Sequence, residues 1–309
     1  LRRRPLLPRV MDAVFAPEYV PALYVPKAGG LFNHRLMAAA LRPALARLRA
    51  SWKWDVVLAS WLFPDAWAAA HAGADAPLVL IAQGSDVHVY LKSRPRRAAI
   101  LDACSRARAV ITRSESLAVL LGGAGVPGVK LKPVHNGVDT GVFHGGDRSE
   151  ARRALGLPED GRWLLFVGNL LPVKDPEFLL RAFQRVNRAE NDTRLALAGR
   201  GPMRAALEKC AAELGIAGRV RFLGPQDAAQ IGQWMRAADL FCMTSRNEGL
   251  PNVILESQAC GLPVVSTRVG GIHEVVDEVW KGALTPPGDL DAIPDFALIA
   301  LFAAEENRS

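Results

Sequence analysis

The chain has 309 residues, 50% of them hydrophobic and 22% charged, with a net charge of +7. These values describe a soluble globular protein of about two domains, since single cores stop growing near ~250–300 residues. No stretch approaches the roughly 18 uninterrupted apolar residues of a membrane helix.

At the start, Leu1-Arg2-Arg3-Arg4-Pro5-Leu6-Leu7-Pro8 resembles a signal peptide only superficially, because prolines break the apolar run and no small-residue cleavage site follows. Four cysteines, Cys104, Cys210, Cys242 and Cys260, are far apart and lack metal-ligand spacing. Read as reduced thiols, they suit the cytoplasm. The charge is uneven: residues 1–150 hold 20 Lys+Arg and 11 Asp+Glu (net +9), the remainder 18 and 20 (net −2), which sum to +7. Arg2, Arg3, Arg4 and Arg9, interleaved with Leu6, Leu7, Val10, Val14 and Phe15, suit an anionic membrane surface as well as they suit a solvated basic face. Nucleic acid is the weakest partner for this patch, which shows no recognition motif and little aromatic interleaving.

A long helix is predicted from Phe32 to Ala50, followed by strand-like runs at Asp55–Ser60, Pro77–Ala82, Ala109–Thr112 and Leu131–Val134. The turn signal in His135-Asn136-Gly137-Val138-Asp139 and the polar Gly145–Ser149 segment mark a boundary, giving domains 1–140 and 141–309. Strands are then predicted at Trp163–Val167, Leu195–Ala198, Val220–Leu223, Leu240–Met243 and Pro263–Ser266. Helices Pro176–Arg188, Met203–Leu214, Ala228–Ala237 and Asn252–Cys260 lie between them. Such alternation implies parallel sheets covered on both faces, so each half reads as a doubly wound α/β domain. The ligand site is then expected outside the carboxyl ends of the strands, in the cleft between the domains.

The polar groups after each strand end are the site candidates. After the run ending at Ala82 come Gln83, Gly84, Ser85, Asp86 and His88. Asp86 suits proton acceptance or hydroxyl binding and His88 titration near neutrality, although Ser85 or Asp86 serves equally well as a helix cap. In Gly168-Asn169-Leu170-Leu171-Pro172-Val173-Lys174, the glycine allows close backbone approach and Lys174 can reach a diphosphate. Gly199-Arg200-Gly201-Pro202 ends the next strand and opens a helix. Neither turn has the spacing of an ATP-hydrolysing loop or a dinucleotide fingerprint. Finally, Glu248-Gly249-Leu250-Pro251-Asn252 leads into a helix carrying Glu256. Pro251 suits the first helical position, the neighbouring amides suit an anion, and Asn252 and Glu256 share one helix face. No metal-ligand cluster and no Ser/His/Asp or Cys/His arrangement emerges from the spacing.

Taken together, these motifs resemble family 4 of the retaining nucleotide-sugar glycosyltransferases, which have the GT-B fold of two Rossmann-like domains facing across a cleft. The likeness runs from about Asp55 to Pro287. It rests on Gly168–Lys174, Gly199–Pro202, the Glu248/Glu256 pair, Val264–Glu274 and Pro286–Asp289. The resemblance implies transfer of a hexose from a nucleoside-diphosphate sugar to a glycan or lipid-linked acceptor, with no bound metal. It assigns Lys174 to the diphosphate and Glu248, with the nearby amides of the Gly249-Leu250-Pro251-Asn252 turn, to the donor sugar. Glu256 is assigned to the ribose, and the backbone near Phe222-Leu223-Gly224 to the base. Lys174 and Glu248 become the expected catalytic pair, Gly168, Asn169, Gly199 and Gly201 the rest of the donor wall, and Gln83 to Asp86 the acceptor side. Two residues depart from the family pattern. Asn169 stands where an arginine is common and Gln83 where a histidine is common, so each removes a charge. The first strand and glycine-rich loop expected of the family are not recognised, nor are its last helices, so the chain reads as truncated at both ends. A sugar-nucleotide epimerase and a non-catalytic nucleotide-sugar-binding domain are the rival readings.

Overall fold

The structure is a computed structural model and describes residues 18–26, 30, 32–73, 75–276, 282–290 and 292–293. The basic cluster Arg2, Arg3, Arg4 and Arg9 lies outside the described residues.

The first domain contains α1 (Asn33–Ser51), β1 (Val57–Ser60), α2 (Trp67–His71), β2 (Leu78–Ala82), α3 (Ser85–His88), α4 (Arg94–Arg106), β3 (Ala109–Thr112), α5 (Glu115–Ala124) and β4 (Leu131–Pro133). Its four strands form a parallel sheet in the order β1-β2-β3-β4. Alternate residues of β2, namely Leu78, Leu80 and Ala82, enter a core with Ile100, Val110, Leu117 and Leu121. The period of two along a strand dictates that pattern.

The second domain contains α6 (Arg148–Ala154), β5 (Arg162–Val167), α7 (Pro176–Ala189), β6 (Thr193–Ala198), α8 (Arg204–Glu213), β7 (Val220–Gly224), α9 (Ala228–Ala237), β8 (Leu240–Met243), α10 (Asn252–Ala259), β9 (Val264–Thr267) and β10 (Gly282–Thr285). All six strands are parallel, in the order β10-β9-β8-β5-β6-β7. Both faces of this sheet are buried. Trp163 and Leu165 of β5 face one core, and Leu164 and Phe166 face the other. That explains why the strands read as continuous apolar runs. Helix starts follow local chemistry: α7 opens on Pro176, and α9 has a capping box in which Gln230 N donates to Asp227 Oδ1 (2.8 Å) and Asp227 N to Gln230 Oε1 (3.0 Å).

This strand order fixes where a ligand can enter. The chain leaves β5 toward β6 and β7 on one side and returns to β8, β9 and β10 on the other, so the order reverses between β5 and β8. The loops after those two strands therefore diverge and leave a crevice at their carboxyl ends.

Candidate functional site

The two loops at that crevice carry Lys174 and Glu248. After β5, the chain passes Gly168 and Asn169 and closes a short turn, Pro172–Lys174. After β8 it runs through Thr244–Glu248 into α10. The loops are tied together: Arg246 N donates to Val173 O (2.8 Å), and Thr244 Oγ1 donates to Lys174 O (3.2 Å) and Asp175 O (3.0 Å). Lys174 Nζ is ion-paired with Glu248 Oε1, with the carboxylate side chain only 12% exposed. Pro251 takes the N-cap place with an extended ψ of 127°, and the helix begins at Asn252, one residue later than a proline at the first helical position requires. The first amides of α10 have no intrahelical acceptors and point their partial positive charge into the crevice.

A cavity of about 640 Å³ occupies this place, within the size range of small-molecule sites. Of the residues singled out in the sequence, Gly168, Asn169, Lys174, Gly199, Glu248, Gly249, Leu250, Pro251, Asn252 and Gln83 line it. Gln83 closes it from the first domain, with Nε2 donating to Ser60 Oγ (2.5 Å). Arg113, Arg200, Pro225, Gln226 and Val253 line it as well. Sequence reasoning passed over Arg113, although it follows the end of β3 just as Gln83 follows β2.

Several expected residues lie elsewhere. Asp86 is fully buried and accepts the amides of Leu62 (2.8 Å), Gln83 (3.0 Å) and Gly84 (2.8 Å). It holds the loop after β2 and does not face an acceptor, which corrects the acceptor-side role expected for it. Ser85 is exposed at the start of α3 and does not line the cavity. Gly84 packs on the second domain: a Cβ there would lie 3.3 Å from the backbone of Gly249, and its φ is +129°. His88 lies close to Glu248 with its Nε2 buried and without a hydrogen-bond partner, and burial pushes its pKa below the ordinary value.

On the donor wall, Gly201 serves packing, because a Cβ there would lie 2.2 Å from Leu170 O. Leu223 packs against the core, and its carbonyl accepts from Gln226 Nε2 (3.1 Å), so Pro225 and Gln226 form the cavity edge where Leu223 was expected. Glu256 lies one turn beyond Asn252, outside the cavity lining. Burial raises its pKa. Asn252 Oδ1 accepts from Asn136 Nδ2 across the domain boundary (2.5 Å).

Glu274 bridges the two domains. Its carboxylate accepts the amides of Glu115 (2.8 Å) and Ser116 (2.9 Å) and the Ser116 hydroxyl (2.9 Å), with His135 Nε2 at 2.9 Å. Burial pushes its pKa up, but the Ser116 and Glu115 amides, with His135 and the Ser116 hydroxyl, outweigh burial and leave it below the ordinary value. Among the described residues, no group of three or more His, Cys, Asp or Glu is placed to hold a metal ion. No helix among them is long and apolar enough to cross a membrane.

The model of the family described as glycosyl transferases group 1 matches residues 147–306, more than half of the chain. The chain belongs to this family. A second model, Glycosyltransferase Family 4, matches residues 8–142. A D-inositol 3-phosphate glycosyltransferase of Catenulispora acidiphila is 39% identical over 203 residues, covering 62% of this chain and 47% of the relative. The chain thus spans about half the length of the curated relatives it matches. Among solved structures, HepE of Anabaena in complex with UDP-glucose aligns with a TM-score of 0.71 at 26% identity, over 88% of this chain and 73% of that one. A sucrose-phosphate synthase from Thermosynechococcus elongatus aligns with a TM-score of 0.77 at 21% identity, over 91% and 72%. The two parallel-sheet domains are those of a GT-B glycosyltransferase, as the motifs implied.

Proposed function

We propose that this chain carries the donor site of a glycosyltransferase that moves a hexose from a nucleoside-diphosphate sugar to a glycan or lipid-linked acceptor with retention of configuration. One observation carries the reading: the Lys174–Glu248 pair stands at the opening of α10, where the strand order reverses and both domains line one cavity. The likeness to HepE, crystallised with UDP-glucose, supports a nucleotide-sugar donor.

In this mechanism the diphosphate lies between Lys174 and the first amides of α10, a lysine and a helix dipole end that both favour negative charge. Glu248 and the amides beside it hold the sugar; the ribose role that the resemblance gives Glu256 draws no support from the cavity, whose lining on α10 ends at Val253. The chain's contribution is positioning and neutralisation of the leaving diphosphate, with the acceptor hydroxyl attacking on the face that the diphosphate leaves. No metal is required. Residues 1–140 supply the acceptor side, and the basic N-terminal half brings the enzyme to the cytoplasmic face of an anionic membrane, where lipid-linked acceptors reside.

The reading is tested by calorimetry with UDP, GDP, ADP and their common sugars, followed by product analysis with and without added glycan. Binding of one nucleotide sugar and acceptor-dependent release of its diphosphate is expected. No binding to any of them refutes the donor site, and turnover of the donor alone favours an epimerase. Asn169 and Gln83, both uncharged where the family often carries charge, favour one rival, a binding domain without turnover. Binding with no transfer to any acceptor would select it.

A further inference from the structure

The cations around the cleft are not equally engaged. Lys174 is ion-paired with Glu248. Arg113, which lines the same cavity from the first domain, has a buried Nε with no hydrogen-bond partner, and its guanidinium has no carboxylate partner among the described residues. A buried or half-buried charge is costly unless it is paired, so an unpaired guanidinium facing a cavity calls for an anion.

The neighbours of Arg113 fix what lies opposite it. A Cβ on Gly271 would lie 2.4 Å from Ser114 Cβ, and one on Gly249 would lie 3.5 Å from Leu117 Cδ1. On the adjoining strand end, Asn136 is bonded to Asn252. Residue 113 is therefore held against the segment that opens α10. That wall offers no free carboxylate, since Glu248 is taken by Lys174, and it presents helix amides. Two positive features thus face each other across the cavity, and their common complement is an anion of more than one charge. A diphosphate fits that requirement; an acceptor hydroxyl does not.

We propose that Arg113 is the first domain's contact to the donor diphosphate, supplying across the cleft the positive charge that Asn169 does not supply from the donor wall. This inference rests on the donor site proposed above. Because the contact joins one domain to a ligand held by the other, it also makes donor binding draw the domains together. A guanidinium can hold two oxygens in one planar, bidentate fork, a fixed geometry that a lysine's rotatable ammonium lacks.

The test compares the chain with its Arg113→Met and Arg113→Lys variants by calorimetry, using UDP, GDP and ADP at low and high salt. Thermal unfolding establishes that each variant is folded. The diphosphate that the unaltered chain binds should bind R113M on the order of tenfold more weakly, with R113K between the two. The loss should shrink as salt rises, since the missing interaction is between charges. Unchanged diphosphate affinity in R113M overturns the proposal. So does a loss that salt leaves unaltered, which marks a packing role. So does an increase confined to the KM of an acidic acceptor, which assigns Arg113 to the acceptor instead. If the unaltered chain binds none of the three diphosphates, the donor reading itself has failed, an outcome distinct from the others.

Discussion

Replacing Glu274 tests whether the relation between the two domains rests on one carboxylate. Its partners, the amides of Glu115 and Ser116, the Ser116 hydroxyl and His135, all belong to the first domain. The amides open α5, so the carboxylate satisfies donors that the helix cannot satisfy itself and lies at the positive end of its dipole. In Glu274→Ala, losing two charge-assisted amide bonds costs about 1.5 kcal/mol each, the low end for bonds to a charged group, and the dipole interaction about 0.5 kcal/mol more. Water entering the gap recovers part of this, leaving ~2 kcal/mol, or roughly thirtyfold in the ratio of closed to open molecules. Small-angle scattering should report a larger radius of gyration for E274A, and thermal unfolding an earlier transition of the first domain. Because the folded chain binds the Glu274 proton more weakly than the unfolded chain does, the contribution is fully present above the ordinary carboxylate pKa of 4.5. It is lost as pH falls through the lowered folded value. The unaltered chain should therefore expand in acid, while Glu274→Gln, which has no carboxylate to protonate, should lack that step. Superimposable scattering and melting of E274A and the unaltered chain would refute the argument.

Glu248→Ala should abolish transfer with little change in melting temperature, because the Lys174 side chain it releases is already 22% exposed and can turn to water; retained transfer would remove Glu248 from the mechanism. Asp86→Asn should destabilise by ~3 kcal/mol in urea unfolding, since one carboxylate serves three amides at a fully buried position. A higher acceptor KM at unchanged stability would instead restore the acceptor role. Gly199→Ala should cost at least ~3 kcal/mol and lose nucleotide binding with it, because its Cβ would sit 1.9 Å from Gly168 O at a φ of +143°. A folded variant with normal affinity would show that the two loops can part without consequence.

What the sequence made legible, and what it did not, divides along the range of the interactions. Buried parallel strands are short apolar runs with polar loops at their ends, so β1 to β9 and the loops bearing Lys174, Gly199 and Glu248 could be located from local pattern alone. β10 was not recognised, because Gly282-Ala283-Leu284-Thr285 is a weak strand former that is held by pairing with β9. The misassigned residues depend on contacts that spacing does not encode. Asp86 resembles a cleft carboxylate until Leu62, 24 residues earlier, is seen to donate to it. Gly201 resembles a ligand turn until Leu170 is found beneath it. Arg113 was passed over because its significance comes from what it lacks, a carboxylate within reach, and that is visible only once both domains are in place. The strand-end rule that selected Gln83 after β2 selects Arg113 after β3 with equal force. Applied to every parallel strand, without regard to whether the residue there is a familiar donor-site type, it would have put an arginine in the cleft from the outset.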